Sequence, residues 1–268
     1  MKNGVEQLQR QWSLSKLQEF KRTPTSTLYT CERDRKKLIL KVFTSSGVKD
    51  ESFGSSFFKL NQECCAHLYH ACERAQLLEF LPGPDLYFFS KTGHEEKATE
   101  VFINLISRFK REPFQGEAPR LSELCDGLTR AGPPSHLRED FKQAILLWQG
   151  IERDKKEEVL LHGDLHHENI VRARNGDFLV IDPKGIVAEP HYELATVLKN
   201  PWAHPSVSHC AHLFEQRLSK MCLDLGLERR KVLSYCFIHL CLSISWSLED
   251  GGNSTHQEAV LGLVKKHL

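Results

Sequence analysis

The sequence predicts an α+β protein, with a small β-rich N-terminal lobe over residues 1–80 and a larger helical lobe over residues 86–268. Three observations lead there. Strand-like runs rich in β-branched and apolar residues gather in the first 80 positions. Pro82-Gly83-Pro84 then ends any regular element, which makes residues 81–85 the predicted hinge. Beyond it, apolar residues recur at mostly helical spacing to the end of the chain. A chain of 268 residues is long enough to bury a substantial core in one compact, two-lobed protein.

Element by element, residues 5–20 place Leu8, Trp12 and Leu17 at roughly helical spacing with polar residues between, which predicts a short amphipathic helix. TSTLYTC (25–31) and LILKVF (38–43) read as strands joined by the charged turn Glu32-Arg33-Asp34-Arg35. Residues 55–75 align Phe57, Leu60, Cys64, Leu68 and Ala71 on one helical stripe. AQLLEF (75–80) is the next strand. A helix running to Ala71 leaves little room for a further strand before Ala75, so a reduced sheet is expected. Helices are predicted over 95–111, 119–131 and 135–152, and again from about 192 to 268.

Short strands interrupt the helical region once, and that interruption carries the chemistry. LLHGDLHHENIVRARNGDFLVIDPKG (160–185) sets Asp164, Asn169 and Asp182 among apolar runs. VLL (159–161), IVRA (170–173) and FLVI (178–181) read as strands. Asn175-Gly176 between the last two is the signature of a two-residue type I′ turn, whose central residues need φ > 0. Counting outward from that turn places Asn169 opposite Asp182 at the open end of the ribbon, with Asp164 in the loop that enters it. Such a set of hard oxygen donors suits Mg²⁺, which takes one or two protein carboxylates and completes its shell with water and phosphate. Read singly, each residue is an ordinary turn or strand-end polar group; the converging spacing sets them apart.

Composition narrows the field. Lys and Arg number 36 against 35 Asp and Glu, for a net charge of +1. The signs are interspersed, so neither a nucleic-acid stripe nor a polybasic membrane patch is indicated. Nine cysteines without a C-x-x-C pair, two of them adjacent at Cys64-Cys65, read as reduced buried thiols of a cytoplasmic protein. MKNGVEQLQRQW has no apolar core of a signal peptide. YCFIHLCLSISWSL (235–248) reads as a buried helix, too short and too interrupted for a membrane span. His162, His166 and His167, with Glu168 beside them, are zinc-ligand types. One loop without spaced partners elsewhere does not make a tetrahedral site, so zinc is not expected.

HGDLHHEN (162–169) stands where a protein kinase would carry H-R-D-L-K-P-E-N. With Gly163 for Arg and His166 for Lys, it resembles the small-molecule branch of the protein-kinase-like fold, which holds aminoglycoside and choline kinases. FLVIDPKGIVAEPHYELATVLKNP (178–201) resembles more narrowly the aminoglycoside/hydroxyurea phosphotransferase family, which includes the streptomycin 6-phosphotransferases. That family follows its metal aspartate with Pro-Lys-Gly, then Tyr-Asp-Leu-Ala and a leucine-asparagine-proline stretch. Here these read Asp182-Pro183-Lys184-Gly185, Tyr192-Glu193-Leu194-Ala195 and Asn200-Pro201. The motif block covers about forty residues, with weaker similarity over most of the chain.

The resemblance implies ATP as phosphate donor, Mg²⁺ on Asn169 and Asp182, and Asp164 as the base that orients an acceptor hydroxyl. It further implies that His162 braces the catalytic loop and that His166 stands near the transferred phosphate. Lys41 would grip the α- and β-phosphates and pair with a helix glutamate, with Glu63 as first choice and Glu51 in reserve. A lysine in an apolar strand is costly unless it finds an anion or reaches water; the competing reading is an edge-strand lysine that discourages aggregation. No G-x-G-x-x-G occurs, and Thr23-Pro24-Thr25-Ser26-Thr27 occupies the corresponding turn. Thr25 and Ser26 are its phosphate-contact candidates, and an ordinary Ser/Thr/Pro turn describes it equally well. Glu79 and Leu81, beside the hinge, complete the nucleotide set.

Lys184 is carried towards the site by analogy, a surface lysine being the alternative, and His191 reads as a surface or pocket-edge residue. Glu189, Glu249 and Asp250 are the carboxylates available to a cationic acceptor. Glu193 departs from the family's Asp by one methylene, at a position expected to brace the catalytic loop. Two readings follow. One is an ATP- and Mg²⁺-dependent phosphotransferase acting on a hydroxyl of a small molecule, such as a streptomycin-like aminoglycoside or hydroxyurea. The other is a degenerate kinase-fold binding protein, marked by Glu193 and the missing glycine loop. Intact Asp164, Asn169, Asp182 and Lys41 favour the first.

Overall fold

The computed structural model describes residues 2–130, 132–154 and 156–268. The chain opens with α1 (Lys2–Gln11), reverses at Ser13, and enters β1 (Ser15–Arg22). The single helix expected over 5–20 is therefore a helix and a strand. Leu8, Trp12 and Leu17 do share one apolar cluster, but Leu17 reaches it from β1. That strand, SKLQEFKR, is a largely exposed edge strand, so it lacks the alternation of buried and exposed side chains that would have announced it.

β2 (Ser26–Arg33) and β3 (Lys36–Phe43) form a hairpin in the register Ser26↔Phe43 to Arg33↔Lys36. Asp34 and Arg35 both have positive φ, as a two-residue turn between twisted strands requires. Two short helices follow, α2 (Ser45–Glu51) and α3 (Gly54–Leu60), then β4 (Leu68–Cys72) and β5 (Ala75–Glu79). The helix expected over 55–75 stops at Leu60. Asn61 turns the chain there, accepting Lys110 N at 2.8 Å, and residues 64–66 lie along the strand that holds Val180. Val180 N donates to Cys64 O at 2.8 Å and Ala66 N donates to Val180 O at 2.9 Å. The sheet is thus not reduced. It has five strands in the order β1-β2-β3-β5-β4, every neighbouring pair antiparallel.

The remainder is mainly helical. It comprises α4 (Tyr87–Lys91), α5 (Glu95–Arg108), α6 (Leu121–Cys125), α7 (Gly127–Arg130) and α8 (Arg138–Arg153) before the second strand region. That region holds β6 (Val159–Leu161), β7 (Ile170–Arg172), β8 (Phe178–Val180) and β9 (Ile186–Ala188) in two ribbons, β6-β9 and β7-β8. After it come α9 (Glu193–Lys199), α10 (Pro205–Ser208), α11 (Ala211–Leu225), α12 (Arg229–Glu249) and α13 (Thr255–His267). The stretch expected as one helix over 119–131 is divided between α6 and α7.

The larger core runs from Phe57 and Phe58 through these helices; the smaller joins Trp12 and Leu14 to Cys31, Leu38, Leu40 and Leu77 on the sheet. α12 lies at the centre, buried without a break from Val232 to Ser245. Its 21 residues are long and apolar enough to cross a membrane by length and composition, which corrects the reading of 235–248 as too short. Burial against α8, α9 and α13 accounts for the same apolarity.

Candidate active site

The loop after β6 is fixed from three sides. Glu193, at the start of α9, accepts His162 N at 2.8 Å and Gly163 N at 3.2 Å with its two carboxylate oxygens. Thr196, one turn later, donates its hydroxyl to Leu165 O at 3.0 Å. His162 Nδ1 accepts Asp164 N at 3.1 Å, so Nε2 carries the proton and donates to Ile181 O at 2.9 Å. Burial lowers His162 to about 4, which keeps that ring neutral. Gly163 has φ of 77°, and a Cβ there would stand 2.8 Å from Ile186. The longer side chain of Glu193 therefore still delivers a brace across both amides. Burial pushes it up to about 7, opposed by the same two N–H groups that favour its charged form.

His167 faces the other way. Its Nε2 lies 3.0 Å from Glu95 Oε1, and Arg217 Nε lies 3.2 Å from the same oxygen. Burial would raise the Glu95 carboxyl, but His167 and Arg217 bring it down to about 2. Arg217 also donates to Asn200 O and Val197 O, at 2.7 and 2.6 Å, and so ties α5, α9 and α11 behind the loop.

The hairpin differs in one detail from its sequence reading. Ile170 pairs with Val180 and Arg172 with Phe178. Ala173 N donates to Asp177 O and Gly176 N to Ala173 O, leaving a three-residue loop in which Gly176 has positive φ and Asn175 does not. This is a type I turn closed by a bulge glycine rather than a type I′ turn. The register slips by one, so Asn169 faces Ile181, whose N–H it accepts at 2.9 Å. Asp182 follows with φ of 60° and turns out of the strand line. Asn169 Nδ2 donates to Asp164 O at 2.9 Å, which commits the amide nitrogen and leaves the amide oxygen for another partner.

Around these residues the charges are paired. Lys41 is buried and meets both Asp182 and Glu51. Burial alone would lower its pKa; the two carboxylates outweigh that and raise it. Glu63, the preferred partner from sequence, is exposed, and its backbone oxygen accepts Arg108. It lies in the turn after α3 and not on a helix facing β3, so the partner of Lys41 is Glu51. Lys184 Nζ stands 3.3 Å from Asp164 Oδ2. Burial would raise Asp164, but Lys184, then His166, Lys199 and His162, hold it well below the usual carboxylate range. His166 itself is lowered by burial, and its Nδ1 is buried without a hydrogen-bond partner.

The Thr23–Ser26 turn is internally bonded: the Thr23 hydroxyl lies 3.2 Å from that of Thr25 and 3.1 Å from that of Ser26. α2 packs so closely here that a Cβ on Gly47 would fall 1.9 Å from Thr25 O. Glu79 turns its carboxylate to His67 N at 3.2 Å, and Leu81 packs on the large core.

A cavity of about 540 Å³ opens beside Asp164 and Lys184. Thr25, Lys49, Glu51, Tyr192, His239 and Trp246 line it, with Glu249 and Asp250. Glu189 does not belong to it. That side chain is buried, 2.5 Å from Lys231 Nζ, and accepts Lys156 N at 3.0 Å. His191 lies beside Glu189, 3.5 Å from its carboxylate, and stacks on Tyr235. Sequence reasoning missed Tyr192, His239 and Trp246 at this cavity, and Lys199 behind His239. Tyr192 and Lys199 stood inside the quoted motif; His239 and Trp246 were polar-tipped residues in an apolar helix, where each needs a partner. A second cavity of about 400 Å³, between α1 and the sheet, touches none of the residues around Asp164. Among the described residues, no group of three or more His, Cys, Asp or Glu could hold a metal ion.

Residues 11–251 match the family described as aminoglycoside/hydroxyurea antibiotic resistance kinase. The chain is 24% identical to the streptomycin 3''-kinase of Klebsiella pneumoniae over 245 residues, covering 90% of this chain and 91% of that protein. It is 28% identical to the streptomycin 6-kinase of Streptomyces griseus over 187 residues, 65% of this chain and 59% of that protein. Its fold is similar to that of the choline kinase LicA from Streptococcus pneumoniae, with a TM-score of 0.70 at 15% identity over 98% of both chains. LicA has also been solved in complex with AMP. The protein-kinase-like α+β fold is thus the one the sequence led us to expect.

Proposed function

This chain belongs to the aminoglycoside/hydroxyurea antibiotic resistance kinase family and is a small-molecule phosphotransferase, and we propose that it moves the γ-phosphate of ATP to a hydroxyl of a cationic, streptomycin-like acceptor. The observation that carries this reading is the position of Asp164. Its carboxylate lies on the wall of a cavity large enough for a small molecule, flanked by Lys184. Phosphoryl transfer passes through a loose transition state, so a protein contributes position and charge more than covalent chemistry. Asp164 orients the acceptor hydroxyl and takes its proton late in the reaction. A carboxylate held at low pKa suffices for that, because the hydroxyl becomes acidic only as the new bond forms.

On the donor side, Lys41 takes the phosphates and Glu51 holds the lysine in place. Asp182 and the free amide oxygen of Asn169 are hard oxygen donors of the kind Mg²⁺ prefers, and the ion, when bound, supplies charge neutralisation at the phosphate oxygens. Residues 81–85 serve as the hinge between lobes at 1–80 and 86–268; Gly83 N donates to Arg172 O at 3.0 Å and Arg172 N to Pro84 O at 3.0 Å, docking that segment on β7. Glu249 and Asp250 at the cavity, with Trp246, meet the cationic part of the acceptor. The protein works in the cytoplasm, in keeping with nine cysteines that are all free thiols.

The test is a phosphate-transfer assay with Mg²⁺·ATP against streptomycin, other aminoglycosides, hydroxyurea, amino sugars and small alcohols. Transfer to streptomycin, weakened by Glu249→Gln together with Asp250→Asn, is the expected result. Transfer to uncharged alcohols alone would overturn the cationic acceptor and leave the kinase reading standing.

A further inference from the structure

We infer that Lys199 and His239 form a relay that aims the hydroxyl hydrogen of Tyr192 into the acceptor cavity, which makes Tyr192 a further substrate-contacting residue and the other two its positioning residues. This rests on the phosphotransferase reading above. Lys199 closes α9, and its Nζ lies 2.9 Å from His239 Nε2. An ammonium group only donates, so His239 Nε2 accepts. A neutral imidazole accepting at one nitrogen carries its proton on the other. His239 Nδ1 stands 2.9 Å from the Tyr192 hydroxyl oxygen, so Nδ1–H donates to it. The phenol is thereby fixed as acceptor towards the histidine and has its own O–H left to give.

Among the described residues, no partner for that hydroxyl is found besides His239. Tyr192 is almost fully buried, and a buried donor left without an acceptor is costly. What the side chain does face is the cavity that Asp164 and His239 also line. The group that completes the chain is therefore an oxygen of the molecule that binds there. The protonation states agree with this assignment. Burial keeps His239 well below the usual histidine range and Tyr192 well above the usual phenol range. Burial lowers Lys199 to about 8, with Asp164 pulling the other way, so it is still an ammonium at neutral pH.

The alternative is a packing role, in which the three side chains merely fill the space between α9 and α12. Two measurements separate these. Nitrogen-15 NMR of the parent protein, which needs no acceptor, should show His239 as the Nδ1–H tautomer, with Lys199→Met losing that preference. An Nε2–H tautomer in the parent overturns the relay. With streptomycin as the probe acceptor, Tyr192→Phe should raise the acceptor KM about tenfold while leaving the KM for ATP within about twofold. Lys199→Met should add little to Tyr192→Phe, because both remove one interaction, and Lys199→Arg should restore most of the acceptor KM. An unchanged acceptor KM, or effects that multiply, overturns it. A parent that passes phosphate to none of the acceptors would count against the phosphotransferase reading, and the tautomer would still decide the relay.

Discussion

Glu193 spans two consecutive amides of the loop after β6, and the shorter of its bonds, 2.8 Å, goes to His162. The carboxyl sits at about 7 in the fold against an ordinary 4.5, because burial disfavours its charge. A raised carboxyl pKa means the fold binds that proton more tightly than the unfolded chain does. Its contribution to stability is full below pH 4.5 and is lost as the pH rises through 7. Glu193→Gln cannot ionise and loses one of two acceptors, at a cost of about 1–3 kcal/mol at low pH. The difference between parent and variant should narrow between pH 5 and about 8 in urea melts. A gap that stays constant over that range would remove the titration from Glu193.

Asp164 and Asp182 should separate by function. Asp164→Asn keeps volume and loop, so Mg²⁺·ATP binding should survive while transfer falls by about 10²–10⁴-fold, the usual worth of a positioned base. Asp182→Asn removes the charge that faces Lys41, and both nucleotide binding and transfer should collapse. Calorimetry and an activity assay on the two variants check this; equal loss of Mg²⁺·ATP binding in both would make Asp164 a metal ligand.

The partner of Lys41 gives a sharper test of the nucleotide side. Glu51→Ala should cut ATP turnover by about tenfold or more, since a buried lysine loses one of its two counter-charges. Glu63→Ala, at an exposed turn, should change turnover and stability by less than about 0.5 kcal/mol equivalent. Reversal of that order in steady-state kinetics would restore Glu63.

Behind the loop, Glu95 joins His167 and Arg217. Arg217→Met leaves a buried carboxylate without its strongest counter-charge, and should cost about 3–5 kcal/mol. The depressed pKa, about 2 against 4.5, gives a contribution present above pH 4.5 and lost as the pH falls through 2. In thermal melts the variant should therefore lose less than the parent on acidification. A parallel pair of melting curves from pH 7 to 3 would contradict that.

How much of this the sequence disclosed depended on whether the signal was local. The short strands and hairpin that carry Asp164, Asn169 and Asp182 were legible because turn chemistry and strand runs sit within one short stretch; only the turn type, and so the register, was off by one residue. β1 and β4 were not legible. Their residues either face water or continue the apolar spacing of a preceding helix, and the pairing that makes them strands comes from the neighbour. Glu51 lost to Glu63 for a similar reason. α2 is seven residues long, too short to show an apolar stripe, although Thr44 at its N-cap accepts Gly47 N at 3.2 Å and was a readable start signal. Glu189 looked available because nothing nearby in sequence reveals Lys231 across the helices.

Two glycines set a condition on recombining this protein with its relatives. A Cβ on Gly54 would fall 1.9 Å from Pro183 O, and one on Gly185 would fall 2.7 Å from Phe53 O. The segment that leads into α3 and the turn that follows Asp182 thus meet backbone to backbone, although 131 positions separate the two glycines (185 − 54). A chimaera joined in the 81–85 segment would take the first glycine from one parent and the second from the other. Such a hybrid inherits this close backbone contact beside Asp182 only when both parents leave that space empty, so a crossover within residues 81–85 is one at which compatibility must be read at two remote positions.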